Sequence, residues 1–178
     1  MSVILRPAAF LDRDGVINVD HGYTHRPEDL EFVPGAPAAI GRLNNAGYMV
    51  VVVTNQSGVA RGYYGEDDVA RFHAHMQRQL RISGARIDAF YSCPYHADGA
   101  VAAYRVDHPD RKPGPGMIRR ALRQLPIDPW RSFMIGDLPS DMAAAAAAGI
   151  AGHRFTGDDL DDFVSGVLLQ ASAANRPT

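Results

Sequence analysis

The segment Ala8-Ala9-Phe10-Leu11-Asp12-Arg13-Asp14-Gly15 decides how the chain is read. Residues 8–11 form a short apolar run of the kind that makes a strand buried on both faces, and Gly15 behind two acids marks where that strand turns out. Asp12 and Asp14 are two residues apart, so in an extended backbone they project to one side at the strand's C-terminal end. Ligands of parallel sheets bind at that end. Two like charges there call for a cation. An isolated Asp-x-Asp could equally sit in a solvated loop, so the rest of the chain has to decide.

The 178 residues are 46% hydrophobic and 21% charged, which suits one ordinary globular domain with a real core and short connections. The expected organisation is a single domain over residues 1–178 with a loop insertion at 93–112. A net charge of -2 offers no basic stripe for nucleic acid, and no run of about 18 apolar residues is present to cross a membrane. No basic and apolar leader precedes the first strand. Cys93 is the one cysteine, which excludes an intramolecular disulfide and agrees with a reducing compartment. The expectation is therefore a cytoplasmic protein, acting as a monomer. Lys112 is the only lysine, every other basic side chain of its class being arginine. A general bias toward arginine explains the arginines and marks the lysine, because a compact ammonium serves where a planar guanidinium does not.

Residues 16–32 lack a helical period and carry Asn18, Asp20, His21, Gly22, Tyr23 and His25. A polar loop of that length beside two acids is expected to face a substrate, since long structureless loops are uncommon in compact domains. Residues 36–46 read as a helix with Ala39, Ile40 and Leu43 on its apolar face. Residues 49–53 read as a second buried strand, which delivers Thr54-Asn55-Gln56-Ser57 at its end. A helix over 66–83 follows, with Val69, Phe72, Met76 and Leu80 toward the core and His73 and His75 in solvent. A third strand is expected over 87–92, a helix over 117–125, a fourth strand over 132–135 ending in Gly136-Asp137, and an alanine-rich helix from Asp141 to Ala148. A fifth strand near 153–155 and a helix from 159 to about 171 complete the pattern. Strands alternating with helices predict an α/β fold, a doubly wound parallel sheet of about five strands with no room for a large cap domain.

That topology places Asp12, Asp14, Thr54, Lys112 and Asp137 along one edge of the sheet, which a solvated loop does not explain. Three carboxylates, a hydroxyl and an ammonium suit a Mg²⁺ ion and a phosphoryl group, because Mg²⁺ takes hard oxygen ligands and relieves the repulsion among the acids. A carboxylate can attack phosphorus, and a second acid nearby can protonate the departing oxygen and then activate water.

These residues resemble the haloacid-dehalogenase superfamily of phosphohydrolases: Asp12-Arg13-Asp14-Gly15, Thr54, Lys112, and Gly136-Asp137 with Asp141 look like its four motifs, in order. Within it, Leu-Asp-Arg-Asp-Gly-Val-Ile-Asn at 11–18, His-Gly-Tyr at 21–23, Thr-Asn-Gln-Ser-Gly at 54–58 and the Arg-Lys-Pro segment from 111 are similar to the heptose 1,7-bisphosphate phosphatases. The phosphatase domains of bifunctional histidinol phosphatases are close relatives and supply the alternative substrate, histidinol phosphate or another small phosphomonoester. The resemblance implies Asp12 as nucleophile and Mg²⁺ ligand, and Asp14 as general acid/base with its backbone carbonyl on the metal. Asp137 would be the remaining protein ligand, with Thr54 and Lys112 stabilising the phosphoryl group. Substrate contacts would come from Asp20, His21, Gly22, Tyr23, Asn55, Gln56, Ser57 and Arg111. The implied role is in making the heptose precursor of lipopolysaccharide.

Two departures from that pattern stand out. Relatives often hold a structural zinc with a Cys-x-His and a Cys-x-Cys pair, where this chain has Cys93, Tyr95, His108 and Asp110. Tyrosine is a poor zinc ligand. His96 could replace it, giving Cys93, His96, His108 and Asp110 as an acceptable set; the other option is a metal-free loop held by its prolines and apolar residues. Leu138 stands where relatives often have a phosphate-touching lysine. A receiver-like phosphoacceptor module also combines acids, a threonine and a lysine, but an acid/base two residues from the nucleophile suits turnover better than storage of a phosphoryl group.

Overall fold

The computed structural model describes residues 4–174. Its centre is a five-stranded sheet in which β1 (Ala8–Leu11) lies between β2 (Met49–Asn55) and β4 (Phe133–Gly136). β3 (Ala89–Cys93) and β5 (Ala151–Arg154) flank them, giving the order β3-β2-β1-β4-β5 with every pairing parallel. The order reverses at β1. Its C-terminal end therefore opens at the switch point where the connections diverge, which is where α/β sheets hold ligands.

Alternation along β1 decides which residues meet which layer. Ala9 and Leu11 pack with Ile40 and Leu43 of α1 (Ala36–Asn45), Phe72 and Met76 of α3 (Glu66–Ile82) and Val164 of α6 (Leu160–Ala174). Ala8 and Phe10 face the opposite layer, with Met117 and Ile118 of α4 (Gly116–Gln124) and Ala144 and Ala145 of α5 (Pro139–Ala148). All four β1 side chains are fully buried. The large ones contribute on the order of 1.5–3 kcal/mol each by leaving water. With both faces covered, the only exit for polar residues of β1 is its end.

Several sequence expectations shift. The third strand begins at Ala89 rather than residue 87, because the Gln77 amide takes both the carbonyl and the N–H of Ile87 (2.6 and 3.0 Å) in place of a ladder partner. The fifth strand spans Ala151–Arg154 rather than 153–155. It is an edge strand with mostly exposed side chains, so no apolar pattern announces it, and its register against β4 sets its bounds. A short helix, α2 (Gly58–Arg61), follows β2. The 16–32 segment is not wholly polar: Val16 and Ile17 are buried in the core and fix its root. An antiparallel bridge between Asn18 and Phe32 then closes it into a flap. His73, expected in solvent, is buried, while His75 is only partly covered. No helix among the described residues is long and apolar enough to cross a membrane.

Candidate active site

Asp12 and Asp14 leave the end of β1 with the parity of Ala8 and Phe10, whereas Arg13 follows Leu11 into the opposite layer. The turn that separates them needs Gly15, whose φ of +84° lies in the left-handed region. A Cβ there would also sit 2.5 Å from Asp137 Oδ2. Gly136 serves the same end on β4, since a Cβ at that position would overlap the Asp141 side chain. Two glycines thus let three carboxylates crowd together. Oxygens of Asp12, Asp137 and Asp141 lie within 4.8 Å of one another, the only such group of His, Cys, Asp and Glu donors among the described residues.

Lys112 answers part of this charge. Its Nζ is 2.8 Å from Asp12 Oδ1 and 2.7 Å from Asp141 Oδ1, and the ammonium is buried. Asp141 is fixed from the other side by Leu138 N–H, which donates to Oδ2 at 3.0 Å and starts α5. The Lys112 backbone is clamped by one amide: Lys112 N–H donates to Asn55 Oδ1 and Asn55 Nδ2 donates to Lys112 O, both at 3.0 Å. Burial opposes the lysine charge, but Asp12 and Asp141 overcome it and hold its pKa above the ordinary value. Burial pushes Asp12 up to about 7, with Lys112 pulling down and Asp141 and Asp14 adding to the rise. Asp137 is also raised, chiefly by burial.

The second acid has a different environment. Asp14 Oδ1 accepts from Arg13 Nε, Arg13 Nη2 and Asn18 Nδ2 at 2.9–3.0 Å, and Oδ2 accepts from Arg13 Nη2 and Gln56 Nε2 at 2.9 Å. Gln56 Nε2 also donates to Thr54 Oγ1 at 2.8 Å, while its Oε1 accepts from Tyr64 at 2.8 Å. Burial raises the Tyr64 phenol to about 12, so it remains a donor. The amide of Gln56 ties the ends of β1 and β2 together.

These groups line a cavity of about 300 Å³ that also takes in Asp20, Gly22, Tyr23 and Ser57. Tyr23 is held at φ +54°, unusual for a non-glycine residue, and its ring meets Tyr63 edge-on at 4.9 Å. Two of the expected substrate residues do not line that cavity. His21 lies 3.0 Å from Glu31 on the exposed flap, and Arg111 Nη1 lies 3.5 Å from the Tyr95 carbonyl. Asn55 and Gln56 do line it, although their amides serve Lys112, Thr54 and Asp14.

The sequence reading missed Tyr64 and Ser140 on the wall and the buried pair Arg13 and His73. His73 carried a usable signal: positions 69, 73, 76 and 80 form one helical stripe.

The donor set fits Mg²⁺. It consists of hard carboxylate oxygens, and Asp137 Oδ1 is buried with no hydrogen-bond partner, an orphan that a cation would satisfy. The considered zinc set fits poorly. Asp110 accepts from Arg120 at 2.7 Å, His108 Nδ1 accepts from Asp110 N–H and His96 Nδ1 from Asp98 N–H. Tyr95 stacks on His108 with centroids 4.3 Å apart. The four candidate ligands do not gather around one point.

Comparison with known proteins agrees with this geometry. Residues 110–153 match a family model described as HAD-hydrolase-like. The D-glycero-beta-D-manno-heptose-1,7-bisphosphate 7-phosphatase of Rhodopseudomonas palustris is 54% identical over 169 residues, which cover 95% of this chain and 94% of the relative. A HAD-like phosphatase structure from Mesorhizobium loti superposes with TM-score 0.86 at 39% identity, covering 97% of this chain and 90% of that one. The D,D-heptose 1,7-bisphosphate phosphatase of B. bronchiseptica, complexed with magnesium and phosphate, superposes with TM-score 0.77 at 32% identity over 92% of this chain and 99% of that one. The chain therefore belongs to the haloacid-dehalogenase-like phosphatases, in the family of the D-glycero-beta-D-manno-heptose-1,7-bisphosphate 7-phosphatases.

Proposed function

We propose that this phosphatase hydrolyses D-glycero-β-D-manno-heptose 1,7-bisphosphate at the 7-position, releasing heptose 1-phosphate and inorganic phosphate on the route to lipopolysaccharide heptose. The observation that carries the chemistry is the convergence of Asp12, Asp137 and Asp141 with the buried Lys112 at the end of β1. The substrate is supported by the relatives' shared name.

Asp12 and Asp137, with the Asp14 carbonyl, would hold Mg²⁺, and Asp141 would hold Lys112. When bound, the ion supplies positive charge that lets phosphoryl and carboxylate oxygens approach one another. Asp12 attacks phosphorus as the bond from phosphorus to the sugar oxygen breaks, and that oxygen leaves with the electron pair and takes a proton from Asp14. Water then attacks the aspartyl-phosphate while Asp14 recovers a proton from it, freeing phosphate and restoring the Asp12 carboxylate. Lys112 and Thr54 stabilise the transferring group. Asp14 Oδ2, which accepts two hydrogen bonds where Oδ1 accepts three, is the oxygen suited to carry the proton. Arg111, together with Asp20, His21, Gly22, Tyr23 and Ser57 on the loops, is assigned to the sugar and its second phosphate.

The whole chain works as one domain with a loop insertion at 93–112, as a cytoplasmic monomer without zinc. A phosphate-release panel over heptose bisphosphate, histidinol phosphate and small sugar phosphates tests the reading. The expected result is preference for the bisphosphate; comparable or better turnover of histidinol phosphate would reject it.

A further inference from the structure

Arg13 sits between the two acids in sequence and has no exposed surface. A fully buried guanidinium keeps its charge, so all its N–H groups need acceptors. Asp14 supplies two oxygens and the Thr24 carbonyl a third, at 2.6 Å from Nη2. The Phe72 ring lies under the guanidinium carbon at 4.6 Å. That leaves Nη1, which points to His73 Nε2 at 3.3 Å.

This contact is a hydrogen bond only if His73 Nε2 is unprotonated. Burial, reinforced by the Arg13 charge, lowers the His73 pKa to about 3, so the imidazole is neutral and can accept. The ring is fixed in its plane by stacking on Phe90 of β3, with centroids 4.4 Å apart and planes 15° from parallel. A rigid ring thus fixes Nη1 of the guanidinium, and the same planar group presents Nε and Nη2 to Asp14.

We infer that His73 is a positioning residue for the acid/base Asp14, acting through Arg13. The inference rests on Asp14 serving as general acid but not on the identity of the sugar. His73 touches neither substrate nor reacting atoms. Without its acceptor, Arg13 Nη1 is a buried donor without a partner, and the guanidinium must tilt to find one, taking the Asp14 carboxylate with it. The consequence falls on the two steps in which Asp14 moves a proton, and of these only protonation of the leaving oxygen enters kcat/KM. A leaving group that departs as a stable anion does not need that proton.

The test compares kcat/KM, which reports the steps through phosphoryl transfer to Asp12, for an alkyl and an aryl phosphate. The variants are His73→Phe, which keeps the stack and loses the acceptor, and His73→Gln, which restores an acceptor. With heptose 1,7-bisphosphate as the alkyl substrate, His73→Phe should lose about tenfold or more, since a positioned acid is worth roughly a hundredfold or above. With p-nitrophenyl phosphate the loss should stay under about threefold, and His73→Gln should recover most of the alkyl activity. Equal losses on both substrates, or no loss on either, would overturn the inference. If His73→Phe does not fold, His73→Leu is read by the same ratio. Wild-type turnover of heptose bisphosphate is measured alongside. Should it be absent, the substrate reading fails by itself, and the ratio is taken with any sugar phosphate that the wild type hydrolyses.

Discussion

Lys112 Nζ donates to Asp12 Oδ1 at 2.8 Å across 100 residues of chain, with both side chains almost fully buried. The contact joins the loop before α4 to the end of β1 and places the one lysine against the proposed nucleophile. A buried ion pair adds little net stability over an apolar replacement, but removing one partner is costly because the other charge stays behind. Asp12 and Asp141 would both be left without a counter-ion. Lys112→Met is accordingly expected to destabilise the metal-free protein by about 3–5 kcal/mol. Denaturant titration with EDTA and with Mg²⁺ checks this, and the deficit should shrink when Mg²⁺ supplies the missing charge.

Asp12→Asn removes the attacking oxygen while keeping shape. Steady-state turnover with Mg²⁺ should fall by more than about a hundredfold, as expected for loss of a covalent nucleophile, with the fold retained. Folded Asp12→Asn protein above that residual would remove Asp12 from its role. Asp14→Asn should also lower turnover severely without unfolding.

Magnesium affinity should depend on pH with a defined sign. The Asp12 carboxyl is raised to about 7 in the metal-free fold, chiefly by burial, and the ion competes with its proton. Affinity should rise with pH and level off above 7, losing about tenfold per unit below it. The same shift means that Asp12 favours the metal-free fold below the ordinary carboxylate range, and this contribution is lost as pH rises through about 7. Calorimetric titration of Mg²⁺ between pH 5.5 and 8 reads the slope; a flat profile would show that Asp12 is ionised before the metal arrives.

The parts of this molecule legible in the sequence are those governed by a single local rule. Residues 8–11 and 49–53 are short apolar runs bounded by turn signals and read as buried parallel strands, which put Asp12, Thr54, Lys112 and Asp137 on one edge. The bounds of β5 were offset, 153–155 against Ala151–Arg154, because an exposed edge strand has no apolar signature to mark its ends. Asp141 was visible as a motif residue, but its grip on Lys112 depends on Gly136 having no side chain, a condition set by two elements together. Arg13 and His73 escaped for a related reason. An arginine after an acid, or a histidine on a helix, reads as solvated when taken alone, and only packing α3 against β1 makes each the other's partner.

The 93–112 loop should be stable without zinc. Tyr95 stacks on His108, and Asp110 pairs with Arg120, so two side chains that could ligate a metal are held by other contacts. Purified protein should carry less than one equivalent of zinc, and a strong zinc chelator should leave its melting temperature unchanged. Stoichiometric zinc by metal analysis, lost in Cys93→Ser, would restore the set of Cys93, His96, His108 and Asp110. Tyr95→Ala should loosen the loop by about 0.5–1.5 kcal/mol beyond lost burial, the usual worth of an aromatic pair.

Substrate choice turns on Arg111. Its neighbour Lys112 is committed to Asp12 and Asp141, and the Arg111 guanidinium has one long contact, 3.5 Å from Nη1 to the Tyr95 carbonyl. Such a group can turn to take a second anion through a two-pronged contact. A bisphosphorylated sugar brings that anion, whereas histidinol phosphate brings an amine that Arg111 repels. The Asp20 carboxylate on the flap works in the other direction, since it could accept an amine as readily as a sugar hydroxyl; yet its Oδ1 already accepts from Gly22 N–H at 2.8 Å, which weakens its pull. The bisphosphate should therefore be preferred in kcat/KM, and Arg111→Ala should erode the preference by about 1.5–3 kcal/mol, the range for a hydrogen bond to a charged group. The erosion should lie mainly in KM, because the contact is made to a phosphate that does not react. Equal activity on histidinol phosphate, unmoved by Arg111→Ala, would transfer the chain to that substrate.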